Sequence, residues 1–346
     1  MKEEKFRYYE PNGKIEQFIN AIGENNHFIY VLSAANGIGK STSMFALLAN
    51  LMFSDGVAKN EWFDHATFTH FPYLKKGRII SDPTNVEKNI VPGLKEWFPA
   101  NRYVAKKNMR KYDSEWATDT GFEFDIMSNE QHPKEFESVT LGWLWIDEPI
   151  TEDIFKASVS RMRKGGIVII TMTALNGSAW MYDMFSGGTY ETEITTSEGG
   201  KPEKVERRVF YMEADIESAC REHGVRGHLH HQDIVNMIAT YSEDEKMARI
   251  YGKFQHFTGM VFKRWNPSIH VIRPFDVNLE DFTVYEYLDP HPRTPDAVLW
   301  VAVDRQGTYY AIDELFVPVN SDDELAQKIK NKASMYRIQH RKADPS

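Results

Sequence analysis

Ser33-Ala34-Ala35-Asn36-Gly37-Ile38-Gly39-Lys40-Ser41-Thr42 is the stretch on which the reading of this chain turns. It follows Phe28-Ile29-Tyr30-Val31-Leu32, an apolar run rich in β-branched and aromatic residues that reads as a buried strand. It leads into Ser41–Phe53, an apolar helix rich in Met, Leu and Ala. A loop between such a strand and such a helix can turn successive backbone N–H groups toward an anion if glycines permit the turn. Gly37 and Gly39 bracket it here. Residues Ala35, Asn36, Gly37, Ile38, Gly39, Lys40, Ser41 and Thr42 are the expected phosphate cradle. Lys40 supplies the cation for the β- and γ-phosphates and Ser41 a hydroxyl ligand for magnesium. The positive end of the following helix points at the same place. The first position of the pattern, ordinarily glycine, is Ala34. Gly-Lys-Ser tripeptides are common, so the loop needs a companion.

The companion is Leu144-Trp145-Ile146-Asp147-Glu148-Pro149, where a second buried strand, Leu141–Ile146, ends in two acids. Asp147 is placed to hold magnesium through water and Glu148 to polarise an attacking water. Two acids before a proline are also an ordinary turn. Loop and acidic strand end together, in this order, predict nucleotide hydrolysis, and the adjacent Glu favours a hydrolase over a kinase. A third apolar strand, Ile167-Val168-Ile169-Ile170, ends in Thr171-Met172-Thr173, hydroxyls positioned to sense the γ-phosphate or the lytic water. Arg161 and Arg163, read as lying on the helix between these strands, are candidate arginine fingers, a role worth about 10³–10⁵ in rate. Ordinary surface arginines are the alternative.

Further out, Arg78-Ile79-Ile80-Ser81 reads as a strand, Glu115–Met127 as a hairpin broken at Thr118-Asp119-Thr120-Gly121, and Asp153–Met162 as a helix. Strands alternating with helices predict an α/β fold with a parallel sheet. Ser186–Lys204 reads as an exposed loop or loose hairpin and Asp215–Tyr251 as a helical subdomain. Val284–Leu288, Val298–Val303 and Tyr309–Leu315 read as a three-stranded meander, followed by a helix over about Asp322–Met335. The 346 residues allow two domains, and 42% apolar residues supply ordinary cores. Apolar runs such as Ile167–Ile170 are far too short to cross a bilayer, and the polar N-terminus is no signal peptide. A single cysteine, Cys220, excludes an internal disulfide. The net charge of −9 argues against a uniformly basic surface. Two runs, Arg102–Lys111 and Lys328–Lys342, are basic without an intervening acid, and read as DNA contacts or as solvated faces.

With these residues in view the chain resembles the large terminase subunit of tailed bacteriophages, the motor that packages DNA into procapsids. Ser33–Thr42 matches the phosphate loop, Trp145–Pro149 the acidic motif and Thr171–Thr173 the coupling motif. Leu288-Asp289-Pro290-His291-Pro292-Arg293-Thr294-Pro295, followed by Val303-Asp304-Arg305-Gln306-Gly307-Thr308-Tyr309-Tyr310, resembles the opening hairpin of the family's RNase H-like nuclease.

The resemblance implies a P-loop (RecA/ASCE-like) ATPase domain over 1–214, a helical lid over 215–258, a connector over 259–282 and part of an RNase H-like nuclease over 283–346. It implies ATP and Mg2+ as cofactors. Asp289 and Asp344 would be nuclease carboxylates holding Mg2+ or Mn2+, with a further acid expected beyond the end of this sequence, so that the nuclease is incomplete here. Double-stranded DNA, the portal protein, the small terminase subunit and a homo-oligomeric ring at the portal vertex in the host cytoplasm are the implied partners and place. Another nucleic-acid-dependent ATPase or helicase, and an ATP-gated assembly protein, are the alternatives.

The family often carries an arginine finger upstream of the acidic strand. Gln131–Phe136 offers only Lys134, which cannot make the planar bidentate contact of guanidinium. Tyr8, Tyr9 and Gln17 occupy the region that usually packs on adenine. The run His223…His228-Leu229-His230-His231…Asp233 matches no standard zinc spacing and reads as polar residues at the start of a lid helix.

Overall fold

A computed structural model describes residues 4–107, 111–174, 179–194, 203–254, 267–273, 275, 281–290, 296–317 and 321–343. The chain divides into two compact units, Met1–Lys263 and Arg264–Ser346.

The first unit is built on a nine-stranded sheet in the order β3-β4-β5-β2-β6-β7-β1-β9-β8. Its strands are β1 (Ile29–Ala34), β2 (Lys76–Ser81), β3 (Tyr103–Lys106), β4 (Glu115–Thr118), β5 (Glu123–Ser128), β6 (Trp143–Asp147), β7 (Ile167–Met172), β8 (Thr189–Ile194) and β9 (Glu203–Ala214). From β5 across to β9 every neighbouring pair is parallel; β3, β4 and β8 add antiparallel edges. The central strands are apolar at nearly every position because helices cover both faces. Tyr30, Leu32, Ile79, Trp143 and Trp145 face the helices Gly13–Glu24 and Lys40–Phe53. Ile29, Val31, Ile80, Leu144, Ile146, Val168 and Ile170 face Ile154 and Phe155 of the helix Glu152–Val159, and Phe185.

β9 is not legible in the sequence. Its stretch Glu203-Lys204-Val205-Glu206-Arg207-Arg208 is polar, and only Val209–Ala214 pair with β1 while the rest project beyond it to pair with β8. The expected loose hairpin is thus β8 and β9, and the second half of β9 completes the parallel sheet. The helix expected over Asp153–Met162 ends at Val159. Arg161 and Arg163 therefore lie in the turn entering β7, not on a helix, because Gly165 and Gly166, both at positive φ, reverse the chain there.

After β9 come a short turn Ile216–Ala219 and the helices His231–Ile238 and Glu243–Tyr251. Ile216, Cys220, Ile234 and Ile250 pack together with Ala35 of the phosphate-loop segment. Ser33 Oγ donates to Gly252 O at 2.6 Å, so the end of the second helix is tied to β1.

The second unit holds a four-stranded sheet, β12-β11-β10-β13, from β10 (Phe282–Asp289), β11 (Asp296–Asp304), β12 (Tyr309–Val317) and β13 (His340–Ala343). β10, β11 and β12 form the expected meander, and the helix Asp322–Ala333 returns the chain so that β13 lies parallel to β10. Val298 and Trp300 of β11 and Ala333 of the helix make its core.

Arg78, on β2, is completely buried. Its guanidinium clasps Asp125 of β5 through two 2.7 Å bonds and donates to Phe136 O at 2.8 Å. Removing one partner of a buried pair strands the other charge, which costs roughly 3–5 kcal/mol when both are buried. Asp125 is 31% exposed, so Asp125→Ala should destabilise the first unit by about 2–4 kcal/mol. Denaturant midpoints of wild type and variant check this.

Candidate functional site

The parallel strands end together, and their C-terminal ends carry the predicted residues. β7 lies between β6 and β1, with Asp147 paired to Thr171 and Ser33 to Met172. Topology therefore sets three segments that are distant in sequence side by side.

Between β1 and the helix Lys40–Phe53, Gly37 (φ +83°) and Gly39 (φ +98°) take left-handed backbone that other residues adopt only with strain. Ala34 is still in β1, paired with Ala214, and is not among the positive-φ residues. A methyl group is tolerated there because the tight turn starts later. Gly39 caps the helix without a side-chain bond, so its first amides face the loop. Amides so placed can donate to an anion. Ser41 is half-buried and Thr42 exposed.

Lys40 is buried, and its Nζ donates to Ala34 O (3.0 Å), Ala35 O (3.2 Å) and Thr173 Oγ1 (2.9 Å). Burial lowers its pKa, and the nearby carboxylates of Glu148 and Asp147 oppose that shift. Thr173 Oγ1 lies 3.0 Å from Asn36 Oδ1 and 3.2 Å from Glu148 Oε1, two acceptors for its one O–H. The Thr173 backbone N–H donates to Glu148 Oε2 at 3.0 Å. Glu148 itself sits at φ +70°, held by its N–H bond to Thr171 O at 2.8 Å. Such a conformation costs about 1–2 kcal/mol for a non-glycine residue, and it turns the carboxylate toward Lys40 and Thr173.

Asp147 is fully buried. Thr171 Oγ1 donates to its Oδ1 at 2.7 Å and Asn85 Nδ2 to its Oδ2 at 2.8 Å; Trp145 Nε1 donates to Thr171 Oγ1 at 2.9 Å. Burial pushes its pKa up to about 6, while the Thr171 bond pulls the other way and the Glu148 charge adds to the rise. A buried, hydrogen-bonded carboxylate with a hydroxyl-bearing Ser41 after the lysine is a hard-oxygen donor set, which suits magnesium.

The structure thus brings together Lys40, Asp147, Glu148, Thr171 and Thr173. Sequence reading missed Asn85 and the supporting role of Trp145, which hold these side chains in place; Asn36, expected in the cradle, joins them through Thr173. Asn85 lies in the first helical turn, Pro83–Asn85, which Asp82 caps directly after β2, and that Asp-Pro helix start after a strand is the available signal. It also missed His228, whose Nε2 donates to Gly37 O at 3.0 Å. Arg161 and Arg163 lie before β7, at the opposite end of that strand from Thr171, so they are not part of this chain's own cluster. Arg161 donates to Glu137 O at 3.0 Å, close in sequence to the exposed Lys134. Tyr9 is committed elsewhere: its ring packs edge-on against Trp97 and its hydroxyl bonds Ser43 Oγ at 2.8 Å, with burial raising its pKa to about 12. Tyr8 is 68% exposed.

In the second unit Asp289 ends β10, and a depression there is lined by Asp289, Glu314 and Lys342. Leu288 is paired with Ala343, so β13 ends beside Asp289. Asp344 lies outside the described residues, as do most of the expected connector residues 259–282. Glu314 is not singled out by the sequence.

No protein-family model matches the chain, and no curated protein matches its sequence. Solved structures do match. The large terminase of a thermophilic bacteriophage aligns at 13% identity and TM-score 0.50, covering 97% of this chain and 78% of that one. The same phage terminase in complex with ADP aligns at 14% identity and TM-score 0.50, with the same coverage. At these identities the likeness is one of fold: the chain has the mixed α/β fold of a large terminase across nearly its whole length. No helix among the described residues is long and apolar enough to cross a membrane.

The raised pKa of Asp147 has a thermodynamic sign. A carboxyl titrating near 6 when folded and near 3.8 when unfolded binds more protons in the folded state between those values. Its contribution to stability is therefore greatest below 3.8 and is lost as pH rises through about 6. Asp147→Asn should stabilise the ligand-free protein by roughly 1–3 kcal/mol at pH ~8. The gain should fade toward pH ~4, as thermal melts across the pH range would record.

Proposed function

We propose that this chain is the ATPase motor of a phage DNA-packaging machine, a large terminase subunit. The observation that carries the proposal is the hydrogen-bonded cluster of Lys40, Thr173 and Glu148 beside Asp147, at the C-terminal ends of three adjacent parallel strands. Its support from outside the site is the shared fold with a terminase that has been solved with ADP.

In this reading the cradle Ala35–Thr42 takes the triphosphate, and Lys40 exchanges its bonds to Ala34 O, Ala35 O and Thr173 for phosphate oxygens. Ser41 and Asp147 would hold magnesium, which neutralises charge on the β- and γ-phosphates. Glu148 orients a water and takes its proton as the oxygen attacks the γ-phosphorus. The bond from that phosphorus to the β–γ bridging oxygen breaks, giving ADP and phosphate. Thr173, bonded to both Lys40 and the Glu148 carboxylate, registers the change. Lid residues share a core with Ala35, and Arg249 O accepts from Asn36 N–H at 3.2 Å. These contacts give loop movement a route into the lid helices. Arg161 and Arg163, remote from their own cluster, suit a finger role only toward a neighbouring subunit's nucleotide, which a homo-oligomeric ring would provide.

The remaining parts of the proposal are double-stranded DNA as substrate, a portal protein and a small terminase subunit as partners, and action at the procapsid. Of the basic runs, Arg102 is bonded to Asp55 and Asp119, Lys328 to Glu324, Lys332 to Asp313 and Arg341 to Glu286. Lys106, Lys107 and Lys111 are exposed and are the better candidates for phosphate contacts. For the second unit we propose an RNase H-like nuclease. The sheet order β12-β11-β10-β13 supports that reading, with Asp289, Asp344 and the newly placed Glu314 as acids for Mg2+ or Mn2+. A helicase or an ATP-gated assembly role gains no specific observation.

Two outcomes follow. Glu148→Gln should retain nucleotide binding while turnover falls by about 10²–10⁴-fold, the usual worth of a general base. Steady-state ATPase and fluorescent-nucleotide binding measure the two, and wild-type turnover would sink the assignment. Asp289→Ala should leave ATP turnover unchanged while removing whatever Mn2+-dependent DNA cleavage the wild-type chain shows on plasmid substrate.

A further inference from the structure

The lid contains a second cluster that ATP hydrolysis does not use. Glu217, Cys220, His223 and His231 each present a ligand atom, and the four atoms lie within 4.8 Å of one another. Cys220 is completely buried. The rings of His223 and His231 meet edge-on with centroids 4.7 Å apart, and His223 Nδ1 lies 2.7 Å from Glu217 Oε2. His231 Nδ1 is buried and has no hydrogen-bond partner. A buried ring nitrogen without a partner costs roughly 1–3 kcal/mol and calls for an explanation.

We infer that this cluster is a site for a borderline-soft divalent transition metal, zinc above all. The donors are one thiolate, two imidazoles and one carboxylate, which is a zinc set and excludes magnesium and calcium as preferred occupants. With the thiolate and carboxylate each carrying one negative charge and both imidazoles neutral, a divalent ion leaves the partly buried site with no net charge. Cys220 loses its S–H proton to solvent on binding; the present acceptor of that S–H is Glu222 Oε2, at 3.1 Å, which also accepts from the His231 backbone N–H at 3.0 Å. Metal–nitrogen bonds of about 2.0–2.1 Å and a metal–sulfur bond of about 2.3 Å put tetrahedral ligands roughly 3.3–3.8 Å apart. The cluster needs to tighten by about 1 Å, within reach of side-chain rotation.

The backbone around the site is already closed. Arg221 N–H donates to Leu229 O, and the N–H groups of His228 and Leu229 both donate to Ala219 O. A Cβ at Gly227 would stand 1.9 Å from Cys220 O, so only glycine fits that approach. The segment 220–231 is thereby a loop pinned at the metal residues. It carries His228 onto Gly37 O and Arg226 onto Pro11 O and the face of Trp62. A metal there would fix the loop that braces the phosphate cradle. The inference rests on the lid cluster alone and stands or falls apart from the ATPase reading.

The test uses the full chain, purified without a polyhistidine tag, stripped with chelator and dialysed against micromolar Zn2+ or Co2+. Elemental analysis should find one tightly held zinc per chain. The Co2+ form should show the intense visible bands of a tetrahedral site and a sulfur-to-metal charge-transfer band. Cys220→Ser and His231→Ala should lower zinc affinity by at least the roughly 100-fold that even an outer partner can be worth. His228→Ala, in the same His-rich run, should keep the metal and the spectrum. No retained zinc in the wild type, an octahedral Co2+ spectrum, or equal loss from His228→Ala would overturn the inference. If Cys220→Ser does not fold, Glu217→Gln, which lies at the half-exposed side, decides by the same spectrum.

Discussion

Burying the Lys40 ammonium is the constraint on which the rest of the first unit depends. A charge out of water must be matched by acceptors close at hand. Here they come from two carbonyls of its own loop, from Thr173 at the end of β7 and, at longer range, from Glu148 and Asp147 after β6. No one strand can supply them all. They converge only because β6, β7 and β1 are parallel neighbours in register, and that arrangement requires helical crossovers on both faces. The doubly covered sheet, its apolar central strands and the position of the cluster are consequences of one another.

The cluster is also expensive to maintain. Asp147 is buried with its pKa raised, and Glu148 is held at positive φ. Neither feature stabilises the ligand-free fold. Both are offset by surrounding structure: Trp145 and Thr171 steer a hydroxyl onto Asp147, Asn85 reaches it from β2's exit, and the pair Arg78–Asp125 ties β2 to its neighbour β5. Strain of this kind, maintained by neighbours at a strand end, marks a site rather than a core. The helices His231–Ile238 and Glu243–Tyr251 extend the same logic, since Ala35 and Asn36 serve as their floor and Gly252 anchors them to Ser33.

Most of the parallel sheet is legible in the sequence because its signals are local. Apolar runs of strand length, bounded on one side by Asn-Gly, Asp-Glu-Pro or Lys-Gly-Gly, sit next to their own loops. β9 is hidden because half of it projects past the sheet and carries the charges of an exposed hairpin. The helix before β7 is shorter than its residues suggest: Arg161 and Arg163 have good helix propensity, and tertiary packing of the Gly165–Gly166 turn overrides it. The Glu217–Cys220–His223–His231 cluster escapes a sequence reading because its residues do not follow a repeated Cys/His spacing. Glu217 and Cys220 precede the histidines and belong to a different local element from His231.

The sequence alone determined which residues are candidates for chemistry and where each lies relative to its strand: glycines that turn the loop, Lys40 after them, Asp147 and Glu148 closing β6, Thr171 and Thr173 closing β7. These are properties of a few contiguous residues, set by backbone sterics and side-chain type. Only the tertiary structure decided which of them meet. Strand order placed β7 between β6 and β1, bonded Thr173 to both Lys40 and Glu148, removed Arg161 and Arg163 to the far end of the sheet, and left His231 Nδ1 near Cys220 without a partner. Contacts between segments separated by tens or hundreds of residues follow from how sheets and helices share one core. No local pattern records that.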